Sequence, residues 1–104
     1  MSARNIQKLR IYGLIESLIV VHGSANTFDI ANYFGLKRSW ISLIISEYKK
    51  RYPNNIKYDT VNKYYVRDTS FKVLALEEFF GVTAFQYLGA FEILQVKFLD
   101  STSD

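Results

Sequence analysis

Residues 27–42 read TFDIANYFGLKRSWIS, and this stretch decides the fold. Ile30 and Phe34 lie one helical turn apart, Gly35 follows, and Leu36, Ile41 and Ile44 resume the apolar spacing. The pattern predicts a short helix ending at Phe34, a turn in which Gly35 takes a positive φ, and a second helix from about Arg38 to Arg51. Ala31 falls where the two helices approach, and a larger side chain would hold them apart. Asn26, with Asp29 three positions on, resembles a capping box at the start of the first helix. Pro53, the sole proline, disfavours helix at Tyr52 and stops the second. Two helices joined by a tight turn form a helix-turn-helix, whose second helix is shaped to enter the DNA major groove. An ordinary helical hairpin with the same apolar pattern is the alternative.

Working outward, Ile11, Leu14, Ile15, Leu18 and Val21 predict a helix over residues 5–21, closed by His22 and Gly23. On the other side, Ile56, Tyr58 and Thr60 alternate with Lys57 and Asp59 as in a half-buried strand. Val61-Asn62 reads as a turn, and Lys63-Tyr64-Tyr65-Val66 as the returning strand. Helical spacing then resumes over Val73–Phe80, Gly81 interrupts it, and Thr83 can cap a helix from Ala84 to about Phe98. Residues 101–104 read as a frayed tail. The fold class expected is mainly α with a small β-hairpin. A winged helix-turn-helix occupies residues 1–70, and C-terminal helices over 71–104 extend the same domain for dimerisation. A chain of 104 residues suits one core.

Composition narrows the function. Hydrophobic residues make up 49% of the chain, with eight Tyr, eight Phe and one Trp, so part of the apolar surface is expected to face a partner. Cysteine is absent, which excludes disulfides and thiolate metal sites and fits a reducing cytoplasm. The first ten residues are polar and basic, so no signal peptide is expected. The apolar stretch Ile11–Val21 is interrupted by Gly13, Glu16 and Ser17 and is too short to span a bilayer. Charge is uneven: three basic and two acidic side chains in residues 1–36, nine and three in 37–72, one and five in 73–104. A basic middle segment points to a polyanionic partner. The chain has a single histidine, His22, and shows no metal-ligand cluster, nucleophile triad or phosphate-binding glycine loop. Glu77 and Glu78 are adjacent and so face different sides of a helix. Neither an enzyme nor a cofactor is expected, and no small-molecule ligand is evident.

The segment TFDIANYFGL followed by KRSWIS resembles the helix-turn-helix of many bacterial regulators. PNNIKYDTVNKYYV, residues 53–66, is similar to the end of the recognition helix and the wing in regulators that join a winged helix-turn-helix to a WYL ligand-binding domain. In that family the domain opens with a long apolar helix, and the wing's tail reads as a basic residue then Tyr-Val, as Lys63-Tyr64-Tyr65-Val66 does here. The resemblance covers roughly residues 5–68 and implies a DNA-binding fold without naming an operator. Two features depart from it. Lys37 stands where Ser is usual, which weakens the cap and could shift the helix start to Ser39. After Asp68 the remaining 36 residues are helical and acidic and no WYL domain is expected there, so that domain's ligand sensing is not carried over.

Position assigns the candidate contacts. Lys37, Arg38, Ser39 and Ser42 lie on the part of a recognition helix that faces base edges. Arg38 can read guanine O6 and N7 or hold a phosphate. Ser42 and Ser46 are small enough for close approach, or simply face solvent. Trp40 packs over a sugar or thymine methyl, or covers the hairpin. Lys49, beside Lys50 and Arg51, meets phosphates or the helix dipole. Lys57 and Lys63 flank the wing tip, and Arg4, Lys8 and Arg10 reach the DNA backbone from the first helix. Ala84, Leu88, Phe91, Leu94 or Gln95, and Phe98 follow one stripe of the last helix, and Phe85, Tyr87, Ile93 and Val96 add apolar surface on its other sides. Phe85, Leu88, Phe91, Leu94 and Phe98 are assigned to dimerisation; the alternative is that this helix completes the monomer core. The function expected is a transcriptional regulator, a repressor, binding double-stranded DNA sequence-specifically as a homodimer on a palindromic operator. It would be cytoplasmic and nucleoid-associated, in a bacterial, phage or plasmid setting that suits a mobile element. The competing reading is a winged-helix protein-interaction module, an antirepressor or assembly factor, that binds no DNA.

Overall fold

The computed structural model describes residues 3–102, with side chains over residues 4–93. Helix α1 (Ala3–His22) is followed by α2 (Thr27–Phe34), α3 (Arg38–Arg51), strands β1 (Ile56–Asp59) and β2 (Tyr64–Arg67), a π-helical turn (Leu76–Phe80) and α4 (Ala84–Thr102).

Local chemistry sets the helix ends. Asn26 caps α2, its Oδ1 accepting from the Phe28 N–H at 2.7 Å and the Asp29 N–H at 3.3 Å. Gly35 closes α2 at φ 64°, and the Leu36 N–H reaches back to the Ala31 carbonyl at 3.0 Å. Lys37 gives α3 no side-chain cap, yet its extended backbone places its carbonyl to accept from the N–H groups of Trp40 and Ile41. The helix therefore starts at Arg38, and the shift to Ser39 does not occur. Thr83 and Gln86 form a reciprocal capping box for α4: Thr83 Oγ1 accepts from the Gln86 N–H, and Gln86 Oε1 from the Thr83 N–H.

The strands are antiparallel, with Ile56 opposite Arg67 and Asp59 opposite Tyr64. That register corrects the expected two-residue turn to a four-residue loop, residues 60–63. Asp59 organises it: Oδ1 accepts from the N–H groups of Val61 and Asn62, both at 3.0 Å, and Oδ2 from the Asn62 side chain at 2.8 Å. Lys63 sits at φ 64° and so belongs to the turn, not the strand. The expected alternation also breaks. Ile56 is buried, but Tyr58 is exposed and meets the ring of its cross-strand partner Tyr65 at 4.9 Å. Ala25, between α1 and α2, exchanges two backbone hydrogen bonds with Tyr65, at 2.9 and 2.8 Å, and so lends the hairpin a third edge.

Helix α1 is the spine. Its residues 11, 12, 14, 15, 18 and 19 pack with Ile30, Ala31, Ile41, Ile44, Ile45 and Tyr48, and also with Ala75, Leu76, Ala84, Tyr87 and Leu88. The segment after the wing thus shares the core of the winged portion. Helix α4 crosses α1 at Gly13, where a Cβ would lie 2.8 Å from Tyr87 Cζ, and the Tyr87 hydroxyl donates to the Arg10 carbonyl at 2.8 Å. Phe91 meets the rings of Tyr33 and Phe34 on α2 at 6.1 and 5.3 Å. Leu88, expected in the dimer contact, is buried in the protomer itself and is corrected to monomer packing, while Phe91 is half-buried against α2 and the core. The side chains of Leu94 and Phe98 lie outside the described residues.

Candidate nucleic-acid interface

Helix α3 buries Ile41, Ile44, Ile45 and Tyr48. At about 100° per residue, the opposite face centres on Ser39, Ser42, Leu43, Ser46 and Lys50, all exposed. Arg38 and Lys49 border this face on one side, Trp40 and Glu47 on the other. Sequence reasoning assigned no role to Leu43, which precedes the buried Ile44 and Ile45 in the chain. Its turn-by-turn position, opposite Ile41 and Ile45, could have placed it on the outward face.

The expected cations fall into two groups. On the Trp40–Glu47 border, α1 supplies both partners: the Arg4 guanidinium lies 4.3 Å from the Trp40 ring centroid, and Lys8 Nζ lies 3.4 Å from Glu47 Oε2. Trp40 therefore packs under Arg4 and, partly buried, against the core. Arg51 turns away from the exposed face, its guanidinium gripping the Glu78 carboxylate and lying over the Phe79 ring at 5.1 Å. Lys37, Arg38, Lys49, Lys57 and Lys63 form the second group. They are exposed and make no ion pair among the described residues. Lys57 points out from β1 opposite Val66, while Lys63 ends the wing loop. The Asn62 side chain and backbone hold the Asp59 carboxyl below its usual range, so the wing tip keeps one fixed negative charge beside Lys57.

Buried polar groups set the position of α3. Glu16, fully buried in α1, accepts from the Tyr48 hydroxyl at 2.7 Å and from the backbone N–H groups of Ala75 and Leu76 at 2.8 and 3.0 Å. Asn55, where α3 leads into the wing, donates through Nδ2 to Tyr48 Oη at 2.7 Å and to the Lys72 carbonyl at 3.0 Å. Its Oδ1 accepts from the Lys72 N–H at 2.8 Å. The chain of bonds links α1, the inner face of α3, the wing's base and the segment entering the π-helical turn. Burial pushes the Glu16 carboxyl above its ordinary pKa, although its hydrogen bonds pull the other way. Burial and the neighbouring Glu16 also push the Tyr48 phenol up, so it stays a donor. Among the described residues, no buried side-chain nitrogen or oxygen lacks a partner, and no helix is long and apolar enough to cross a membrane.

No curated protein matches the chain. A family model does: that of the winged helix-turn-helix domain of BrxR transcriptional regulators, over residues 7–91. The match runs from α1 through the helix-turn-helix and wing to Phe91 on α4, and so takes in the helices after the hairpin.

Proposed function

The chain belongs to the family of BrxR transcriptional regulator winged helix-turn-helix domains, and from that membership we propose that it binds double-stranded DNA sequence-specifically as a homodimer and represses transcription from a palindromic operator. One observation carries the proposal. The outward face of α3 sets the short side chains of Ser39, Ser42 and Ser46 around Leu43 with Arg38 and Lys49 at its border, and these two cations and the exposed wing lysines Lys57 and Lys63 have no ion-pair partners among the described residues. Such a face matches a groove lined with base edges and walled by phosphates.

In this reading Lys37, Arg38, Ser39 and Ser42 approach base edges, and the Arg38 fork is suited to guanine O6 and N7. Lys49, Lys57 and Lys63 hold phosphates. Arg4 adds charge at the groove's rim while stacked on Trp40, and Lys8, paired with Glu47, contributes less. Dimerisation rests on what α4 leaves uncovered. Phe85 and Ile93 are 67% and 60% exposed, and Gly89 between them has open space where a Cβ would stand. A second copy packed there by two-fold symmetry would present two recognition helices to half-sites roughly 34–36 Å apart or a multiple of it. A dimer seated on a promoter represses by occupying it.

Fluorescence anisotropy with a random-sequence duplex, titrated over a range of salt, tests the DNA-binding core of the proposal. Affinity should fall steeply with salt, with a slope that tracks the number of phosphates neutralised. No binding at low salt, or binding indifferent to salt, would overturn it.

A further inference from the structure

We propose that Leu43 reads a thymine methyl group in the major groove, so that one A·T pair in each half-site is selected by apolar contact. The inference rests on the DNA-binding reading above and adds to it what the centre of the recognition surface is built to recognise.

Leu43 is 49% exposed and stands outside the core cluster, whereas Ile41, Ile44 and Ile45 on the same helix are buried. Its neighbours one turn away on the outward face are Ser39 and Ser46, with Ser42 beside it. All three are short, so the leucine projects furthest at the middle of the face. An exposed leucine gains by further burial, and among the described residues about half of this one stays uncovered. The surrounding charge favours a polyanion over an apolar protein: Arg38, Lys49 and Lys50 share the exposed surface of α3. A leucine neither donates nor accepts a hydrogen bond. In a major groove whose edges are otherwise donors and acceptors, the thymine C5-methyl is the apolar feature available to it.

The experiment uses the full chain and a duplex selected by it from a randomised pool. Each thymine is replaced in turn by deoxyuridine, which lacks only the methyl group. At one thymine per half-site, the replacement should weaken wild-type binding about fourfold, the worth of one buried methyl-sized group. Leu43→Ala should bind the thymine duplex correspondingly less well and be indifferent to uracil at that position. Alanine is a good helix former and the site is exposed, so the variant should fold. Indifference of the wild type to uracil at every position would overturn the proposal, as would equal sensitivity in Leu43→Ala. A wild type that selects no duplex would instead overturn the DNA-binding reading on which it stands.

Discussion

The Tyr48 hydroxyl donates a 2.7 Å hydrogen bond to the Glu16 carboxylate, with both side chains buried. Tyr48 lies on the inner face of the recognition helix, and Glu16 lies at the middle of α1. Glu16 also accepts from the N–H groups of Ala75 and Leu76, and Tyr48 accepts from Asn55. The outward face of α3 is therefore positioned from behind by buried groups. The ring of Tyr12 against Tyr48, at 5.2 Å, packs the same joint.

Tyr48→Phe should cost about 1–3 kcal/mol of stability, because it removes one donor to a buried carboxylate and one acceptor from Asn55 while keeping the ring. Urea denaturation of the purified variant measures this. A loss below about 0.5 kcal/mol would mean that water or relaxation replaces the bond at little cost.

The same carboxylate gives stability a pH dependence whose sign can be worked out. Burial raises the Glu16 pKa in the folded chain above its unfolded value. The stability it contributes is complete below the unfolded value, about 4.3, and is lost as pH rises through the higher folded value. The stability of the wild type relative to Glu16→Gln should therefore decline on going upward from about pH 4. Urea titrations of both proteins at several pH values test this, and a difference that rises with pH would contradict it.

Gly13→Ala sets two effects against each other. Alanine gains up to about 1 kcal/mol over glycine in a helix interior. Its Cβ, however, would lie 2.8 Å from Tyr87 Cζ, in a ring also packed against Phe80 and Phe91 at 4.9 and 5.0 Å. Overpacking costs about 1–3 kcal/mol, so the variant should be destabilised on balance. In a Tyr87→Leu background the same change should be neutral or stabilising, and a double-mutant cycle by thermal or urea unfolding reads the difference.

How much of this was legible in the sequence depended on distance along the chain. The bounds of α2 came from Asn26 and Gly35, each acting within a few residues, and Pro53 marked the end of α3 in the same way. The start of α4 showed at Thr83. The role of Glu16 did not show, because its backbone partners lie 59 and 60 residues on. A lone carboxylate in an apolar helix reads only as an interruption until the fold brings those N–H groups to it. The wing turn was misjudged because Asp59 folds its carboxylate over the next three residues, which strand alternation does not reveal. Periodicity marks Leu88 and Phe91 as one apolar stripe and Phe85 as apolar surface on another side of the helix. Only the placement of α1 and α2 shows that the stripe is the covered side and that Phe85 stays exposed. Arg38, Lys49, Lys57 and Lys63 were found as exposed cations from position alone. Arg4 and Lys8 carry partners on α3 that charge counting could not show.

Base reading and anchoring should separate by mutation. Arg38→Ala should cost about 1–3 kcal/mol on a selected duplex and relax discrimination at one position. Lys57→Ala should weaken selected and random duplexes alike and lower the salt slope by about one. Lys63 sits at φ 64°, where alanine would strain the backbone, so Lys63→Gly is the cleaner removal of its charge and should behave as Lys57→Ala does. Anisotropy titrations on both duplexes decide. If Arg38→Ala lowers both affinities equally, Arg38 holds a phosphate.

The dimer should depend on the uncovered side of α4 and not on its packed side. Phe85 and Ile93 are exposed, so Phe85→Glu and Ile93→Glu remove no protomer contact that Leu88 or Tyr87 supplies. Leucine 88, by contrast, is core, and replacing Leu88 with Glu would unfold the chain and report nothing about association. Placing a charge on each side of a two-fold contact costs far more than losing one apolar contact, because like charges are desolvated against each other. Each variant should therefore run as a folded monomer in light scattering, with wild-type helicity by circular dichroism. Binding to a random duplex should survive, since one recognition helix and wing remain intact. Affinity for the selected palindrome should fall toward the random-duplex value, because the two half-sites would no longer be held by one rigid body. A wild type that is monomeric at tens of micromolar refutes the dimer. Charged variants that still run as dimers place the interface elsewhere than Phe85 and Ile93.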